Sequence, residues 1–162
     1  MNISTRILFA LLVCVGFGGC ANSMRSTVAP LYQDKVSPVE KIGVGGPGAS
    51  GAVQAFIAKG YSTLDLGAAV DDVIARGRKE GLPFVAIVDS VDTSQAVWDG
   101  FYTFSMRVSD TKSGLVVWSN SSTYGRGGIL IDAQGTAKDA YHDMVEDFAK
   151  KFPPTSSPVA SR

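Results

Sequence analysis

The amino-acid sequence predicts an α+β domain in which helices pack against a mixed β-sheet, and three segments carry this prediction. Residues 84–88 are continuously apolar with a β-branched bias, which is typical of a central strand covered on both faces. Residues 101–110 alternate between apolar and polar side chains, as a half-buried strand does. Residues 136–152 carry an apolar stripe at helical spacing, which Pro153 ends. A short strand around Ile42 is expected before these elements.

Two helices and two further strands complete the expected order of helix, strand, helix, strand, strand, strand, helix. Ser50 is predicted to cap a first helix that ends at Gly60. Residues 61–66 are predicted to form a strand, and residues 67–80 a second helix that stops before a glycine. Residues 110–114 have turn chemistry and precede a second apolar run, so a hairpin is expected there.

Length and composition limit the classes of protein that this chain can belong to. The chain has 162 residues, which is enough for one domain of ordinary size, and 45% of them are hydrophobic, which is enough for a packed core. The 15 basic and 15 acidic residues cancel. Because binding to phosphate backbones usually requires a broad positive field, nucleic acid is not expected as a partner.

The first 19 residues have the form of a secretory signal peptide. Arg6 is followed by the apolar residues 7–15 and then by small residues. Nine apolar residues are fewer than the roughly 18 that a membrane-spanning helix needs. We therefore expect a cleaved signal peptide.

The end of this leader, Phe17-Gly18-Gly19-Cys20, resembles the bacterial lipoprotein box. That resemblance implies that Cys20 is acylated and becomes the mature N-terminus, anchored in the membrane through its lipid. The following residue, Ala21, is not the Asp associated with inner-membrane retention, which implies the outer membrane and a periplasmic orientation. Cys14 would be lost with the leader, so no disulfide is expected.

The remaining chain is divided into three parts. Residues 20–41 are polar, contain two prolines and lack periodicity, so they are interpreted as a lipidated tether. Residues 42–152 are predicted to form a single α+β domain. Residues 153–162 are rich in Pro and Ser and are predicted to be a disordered tail.

The hairpin segment from Phe104 to Ser119 resembles a segment shared by the curli-secretion lipoprotein family and the lipoprotein activators of penicillin-binding proteins. In both families an apolar strand precedes this hairpin and an amphipathic helix follows it, as residues 84–88 and 136–152 do here. The resemblance implies a fold similar to an anticodon-binding domain. The extra long hairpins of a secretion pore have no counterpart in this chain, so the implied role is protein binding.

Two sequence patterns are of the kinds found at sites of chemistry. Residues 43–48 match the spacing G-x-G-x-x-G, but the sequence before them and Pro47 favour a flexible loop over a dinucleotide site, so no cofactor is expected. His142, the single histidine, is interpreted as part of a solvated ion-pair surface. With one histidine and no spare cysteine, neither a metal site nor a catalytic residue is expected.

Three residues are candidates for contacting a partner. Tyr124 and Arg126 lie in a glycine-rich segment, and Trp98 precedes the hairpin. Tyr, Trp and Arg are the residue types enriched among interface anchors. If these side chains cluster in space, they mark a binding surface.

The leading hypothesis is a non-catalytic outer-membrane lipoprotein that binds an envelope protein and assists the assembly or localisation of a complex. A homo-oligomer is compatible with it. The alternative is a cell-wall or ligand-binding module that modulates peptidoglycan enzymes. A hydrolase is a third class, and it would need a pocket that joins His142 to a serine and an acid.

Overall fold

Six strands form one mixed sheet in the computed structural model of the chain, which describes residues 23–34, 36–92, 101–125 and 133–155. The strands are β1 (Ser23–Val28), β2 (Lys41–Gly45), β3 (Ser62–Asp65), β4 (Phe84–Asp92), β5 (Phe101–Asp110) and β6 (Val116–Gly125). Their order across the sheet is β1-β6-β5-β4-β2-β3. Strand β2 runs parallel to β3 and β4, and the other neighbours are antiparallel.

Three α-helices and one short 3-10 helix pack on or beside this sheet. They are α1 (Ala49–Ala58), α2 (Val73–Lys79) and α3 (Ala133–Ala149), with the 3-10 helix at Pro30–Tyr32. The predicted α+β class is therefore confirmed.

Helices α1 and α3 cover one face of the sheet and enclose the main core. Phe148 of α3 packs edge-on against Trp118 of β6, with ring centroids 5.4 Å apart, and edge-on against Phe56 of α1 at 5.8 Å. The same face buries Phe104 and Met106 of β5. The apolar side of β5 that the alternating sequence predicted is thus the side beneath α3.

Helix α2 covers part of the opposite face, over β2 and β4. A second apolar cluster there contains Val73 of α2 and Val85 and Ile87 of β4. Gly77 lets the helix approach closely, because a Cβ at this position would lie 2.2 Å from Cγ1 of Val85. The part of this face formed by β5, β6 and β1 lies beyond α2.

The predicted hairpin and central strand are confirmed. Strand β4 lies between β2 and β5, and β5 pairs with β6 across a turn that begins at Asp110. Asp110 Oδ1 accepts hydrogen bonds from the backbone N–H and the hydroxyl of Ser113, at 2.7 and 2.9 Å. These bonds lower the pKa of Asp110, the backbone bond contributing most. Strand β6 continues to Gly125, beyond the predicted apolar run.

The predicted helices exist with corrected boundaries. Helix α1 begins at Ala49 with Gly48 as its N-cap, so Ser50 is not the capping residue. Helix α2 begins at Val73, six residues after the predicted start. Asp72 has a left-handed φ of 67°, which interrupts a helix before that point. Helix α3 begins and ends three residues before its predicted limits.

The predicted tether and tail require correction, because parts of both belong to the domain. Strand β1 pairs along its whole length with β6. Val39 is buried, its N–H donates to the Pro153 carbonyl at 2.9 Å, and its carbonyl accepts from the Thr155 N–H at 3.1 Å. The predicted limits at residues 42 and 152 are therefore too narrow. Residues 1–22, with the predicted signal peptide and Cys20, and residues 156–162 lie outside the described residues.

Candidate functional site

The chain segments that carry the predicted contact residues adjoin strand ends at one end of the sheet. At this end Ser23 lies opposite Thr123, and Phe101 lies opposite Gly125. Asp92, the last residue of β4, lies opposite Tyr102. Three chain connections therefore leave the same end of the sheet: the N-terminal segment, residues 93–100 and residues 126–132.

The predicted contact residues belong to these connections or stand beside them. Tyr124 is the penultimate residue of β6, and its backbone lies opposite Tyr102. Trp98 and Arg126 lie outside the described residues: Trp98 is in the connection between β4 and β5, and Arg126 directly follows the last residue of β6. Cys20 also lies outside them, three residues before β1 begins. The strand ends thus bring the segments that contain these residues to one end of the sheet. Clustering of the three side chains stays a prediction.

A second surface was not singled out by the sequence. The strand registers align side chains in rows across β4, β5, β6 and β1, on the sheet face that α2 covers only over β2 and β4, since alternate residues of a strand share a face. The first row is Ile87, Arg107, Ser119, Thr27; the second is Asp89, Ser105, Ser121, Arg25; the third, across β5, β6 and β1, is Thr103, Thr123, Ser23. We call the β5, β6 and β1 members of these three rows the open sheet face.

The first two rows form the floor of a shallow cavity of about 370 Å³. Val70, which precedes α2, contributes to its wall. Arg25, Arg107 and Ser121 are exposed, whereas Ser105 and Ser119 are half-buried. The floor is thus made of short hydroxyl side chains between two exposed guanidinium groups. Its two arginines and one aspartate give this cavity a net positive charge.

The four arginines of the described residues divide into two pairs. Arg76 donates to the Leu66 and Ala69 carbonyls, and Arg78 donates twice to the Thr111 carbonyl, at 2.9 and 2.7 Å. These bonds fix the loop before α2 and join the helix to the hairpin turn. Arg25 and Arg107 instead project from strands on the open sheet face.

The glycine-rich segment at residues 43–48 is packed against its own domain, so the expectation of a flexible loop is wrong. A Cβ at Gly48 would lie 2.0 Å from the Tyr141 Oη. A Cβ at Gly46 would lie 2.1 Å from the Val88 carbonyl oxygen. These glycines accommodate close contacts within the domain, which explains the motif without a dinucleotide.

His142 lies on the exposed side of α3. Its Nε2 atom is 3.9 Å from Glu146 Oε2, and the same oxygen accepts from Lys59 Nζ at 3.3 Å. This arrangement agrees with the interpretation of an ion-pair surface.

Within the described ranges, no group of three or more His, Cys, Asp or Glu residues is placed to hold a metal ion. No helix among these ranges is long and apolar enough to cross a membrane.

Two buried tyrosines have perturbed hydroxyl groups. Burial raises the pKa of Tyr61, whose hydroxyl donates to the Phe152 carbonyl at 2.5 Å. Burial also raises the pKa of Tyr141, and the negative charge of Asp89 raises it further. Both rings belong to the main core. We therefore assign both tyrosines a structural role, in packing α3 and the residues that follow it against the sheet.

Part of the open sheet face could be predicted from the sequence. The alternation in residues 101–110 already placed Thr103, Ser105 and Arg107 on the polar side of one strand. It could not show which residues of other strands lie beside them. Arg25 was missed because its segment had been assigned to a tether.

Comparisons with known proteins identify a fold. No family model matches the chain, and no curated protein matches it. A PelC dodecamer from Paraburkholderia phytofirmans has a TM-score of 0.59 at 15% identity, over 76% of this chain and 94% of that chain. A single-residue variant of that dodecamer gives 0.58 at 15% identity, over 76% and 95%. The lipoprotein GNA1162 from Neisseria meningitidis gives 0.43 at 19% identity, over 68% and 99%. At these identities the PelC likeness shows that the two chains share a fold.

Proposed function

We propose that this chain is a lipid-anchored protein of the outer membrane that binds an envelope protein on the periplasmic side and assists the assembly or localisation of a complex. In this proposal the chain performs no catalysis. The observation that carries it is the position of β1, which begins only three residues after Cys20.

This spacing supports a domain held close to the membrane. Three extended residues span about 10 Å, so an acylated Cys20 would keep the Ser23 end of the sheet near the bilayer surface. Multiple acyl chains contribute about 0.8 kcal/mol per buried methylene, which makes such an anchor stable. A partner in the membrane or beside it is therefore within reach of this end.

The proposed contact residues are Trp98, Tyr124 and Arg126. Tyr124 lies near the end of β6 that is remote from the hairpin turn, and the segments that contain Trp98 and Arg126 are attached to strand ends at that same end of the sheet. Aromatic and arginine side chains supply most of the large contributions in protein interfaces. Their attachment at the anchored end supports a contact close to the membrane.

Self-association is part of the proposal. The fold is shared with a protein described as a dodecamer, and both outer strands of this sheet, β1 and β3, have one unpaired edge among the described strands. Exposed strand edges are sites where further chains can add. Several copies can therefore form the scaffold on which the complex assembles.

The test is crosslinking in intact cells that express the full-length, C-terminally tagged chain, followed by detergent extraction and mass spectrometry of the co-purified proteins. We expect one stoichiometric envelope protein besides copies of the chain itself. Tyr124→Ala together with Arg126→Ala should remove that protein. Lys112→Ala together with Leu115→Ala, at the hairpin turn on the opposite end of the sheet, is the matched control. Recovery of the chain alone, or equal recovery from both double variants, would contradict the proposed contact.

A further inference from the structure

We propose that the open sheet face binds a carboxylate-bearing saccharide. In this proposal Arg25 and Arg107 bind the carboxylates, and the serine and threonine hydroxyls of the first two rows bind the sugar hydroxyls. The residues that carry this inference do not include the proposed contact residues Trp98, Tyr124 and Arg126, so it does not depend on the partner proposed above.

The positions of the two arginines point to a ligand with repeated negative charges. Arg107 lies on β5 in the first row and Arg25 lies on β1 in the second row, so they are two strands and one row apart. Strand spacing and rise place their Cα atoms about 12 Å apart. Two flexible arginine side chains at this separation can each meet one acid group of a short chain of sugars.

The chemistry of the guanidinium groups favours carboxylate. A guanidinium offers paired N–H donors that match a carboxylate, and such charge-assisted hydrogen bonds are stronger than neutral ones. The ion pairs found among the described residues are made by Lys59, His142 and Lys150, and neither Arg25 nor Arg107 takes part in them.

The floor of the cavity favours a polyhydroxyl ligand. Ser105, Ser119 and Ser121 are short, so they leave space above the sheet, and each hydroxyl can both donate and accept. Asp89, at the margin of the second row, places a carboxyl group beside the floor, which disfavours an acid group directly above it. The cavity of about 370 Å³ lies within the size range of small-molecule sites.

The composition of the rows disfavours single-stranded nucleic acid, the other polyanion that such a surface could attract. Proteins that hold single strands stack the bases on aromatic side chains. The three rows contain Ser, Thr, Arg, Asp and Ile, and no aromatic residue. A saccharide needs no stacking platform of this kind, so it fits the surface better.

The test is isothermal titration calorimetry on the full chain, purified from membranes in a polyoxyethylene detergent that contains no sugar. The probes are trigalacturonic acid, the neutral trisaccharide maltotriose, and citrate. We expect trigalacturonic acid to bind at least about tenfold more tightly than either of the other two. Arg25→Gln and Arg107→Gln should each weaken that binding by about tenfold or more. Ser121→Val should also weaken it, because the larger side chain reduces the space above the cavity floor.

Lys138→Gln is the matched control, because it removes a cation from the exposed surface of α3 and should leave binding unchanged. Circular dichroism of each variant establishes that the sheet is intact. Equal binding of citrate and trigalacturonic acid would overturn the role of the hydroxyl floor. Equal binding by the arginine variants, or no heat of binding to trigalacturonic acid at millimolar concentration, would overturn the site.

Discussion

Ser23 of β1 lies directly opposite Thr123 of β6, at the end of the sheet where the connection to residues 126–132 begins. Cys20 is only three residues earlier in the chain. The segment that the sequence assigned to a tether is therefore used as an edge strand. In the proposed function, an acylated Cys20 would use this pairing to hold the domain against the membrane through its own N-terminal strand.

The pairing of β1 predicts a specific pattern of amide protection. A chain that starts at Pro30 lacks β1, so the backbone groups of β6 that face β1 become an open edge. We expect faster hydrogen–deuterium exchange in residues 118–123 of the truncated chain than in the longer chain that starts at Ser23. Exchange in β4 should be unchanged, because its partners β2 and β5 remain. Equal exchange in residues 118–123 of both chains would show that β1 contributes no lasting pairing.

Two glycines with positive φ distinguish two costs of adding a Cβ to the chain. One cost comes from the left-handed backbone conformation, and the other from steric overlap with neighbouring atoms. Gly46 has φ +111° and faces the Val88 carbonyl, whereas Gly81 has φ +69° and nothing within 4 Å of a built Cβ. Gly81→Ala should cost about 1 kcal/mol of unfolding free energy, the ordinary cost of a left-handed residue. Gly46→Ala should cost about 2 kcal/mol more, because the backbone of β4 must also move. Urea unfolding measures both values, and equal losses would contradict the close packing at Gly46.

The hydroxyl of Tyr61 predicts a loss of stability and a changed response to alkali. Tyr61→Phe leaves the Phe152 carbonyl without its hydroxyl donor, which should cost about 1–3 kcal/mol at neutral pH. Because burial raises the pKa of Tyr61 above its usual value near 10, its contribution is complete below about pH 10 and is lost as the pH rises further.

As the pH rises from about 8 to about 11, the free energy of unfolding measured with urea should therefore fall less for Tyr61→Phe than for the parent chain. A residual loss is expected from Tyr141, whose pKa is also raised. If both chains lost the same stability over this interval, the pH-dependent role of Tyr61 would be wrong.

The elements that the sequence predicted well are those whose periodicity reports burial directly. Strand β4 is continuously apolar and lies in the middle of the sheet, and α3 presents Tyr141, Met144 and Phe148 to the core as its spacing indicates. Strand β1 has no such signal. Its first five residues are exposed because it lies at the edge of the sheet, so polar side chains occur on both of its sides.

The start of α2 was misplaced for a different reason. Val70 recurs at helical spacing with Val73 and Ile74, but it belongs to a loop that Arg76 holds through backbone carbonyls. Hydrogen bonds from a side chain seven and ten residues further along the chain override the local periodicity here. Sequence spacing alone could not distinguish the two arrangements.

The open sheet face could be predicted only in part. The alternation in β5 places Arg107 on a polar side, but its neighbours depend on strand order and register. A shift of one residue in β1 would exchange Arg25 for Met24 or Ser26 beside Ser121. Contacts between distant segments fix that register, and a single sequence does not record them.

The chemical state of Cys20 in the mature protein decides whether this residue anchors the domain. The measurement is mass spectrometry of the N-terminal peptide of the mature protein, combined with membrane fractionation of the parent chain and of Cys20→Ser. We predict a mature chain that begins at an acylated Cys20 and sediments with outer membranes, and a variant that loses this modification and leaves the membrane fraction. An unmodified Cys20 in the mature chain, or the same membrane association for Cys20→Ser, would contradict the claim that this residue anchors the domain.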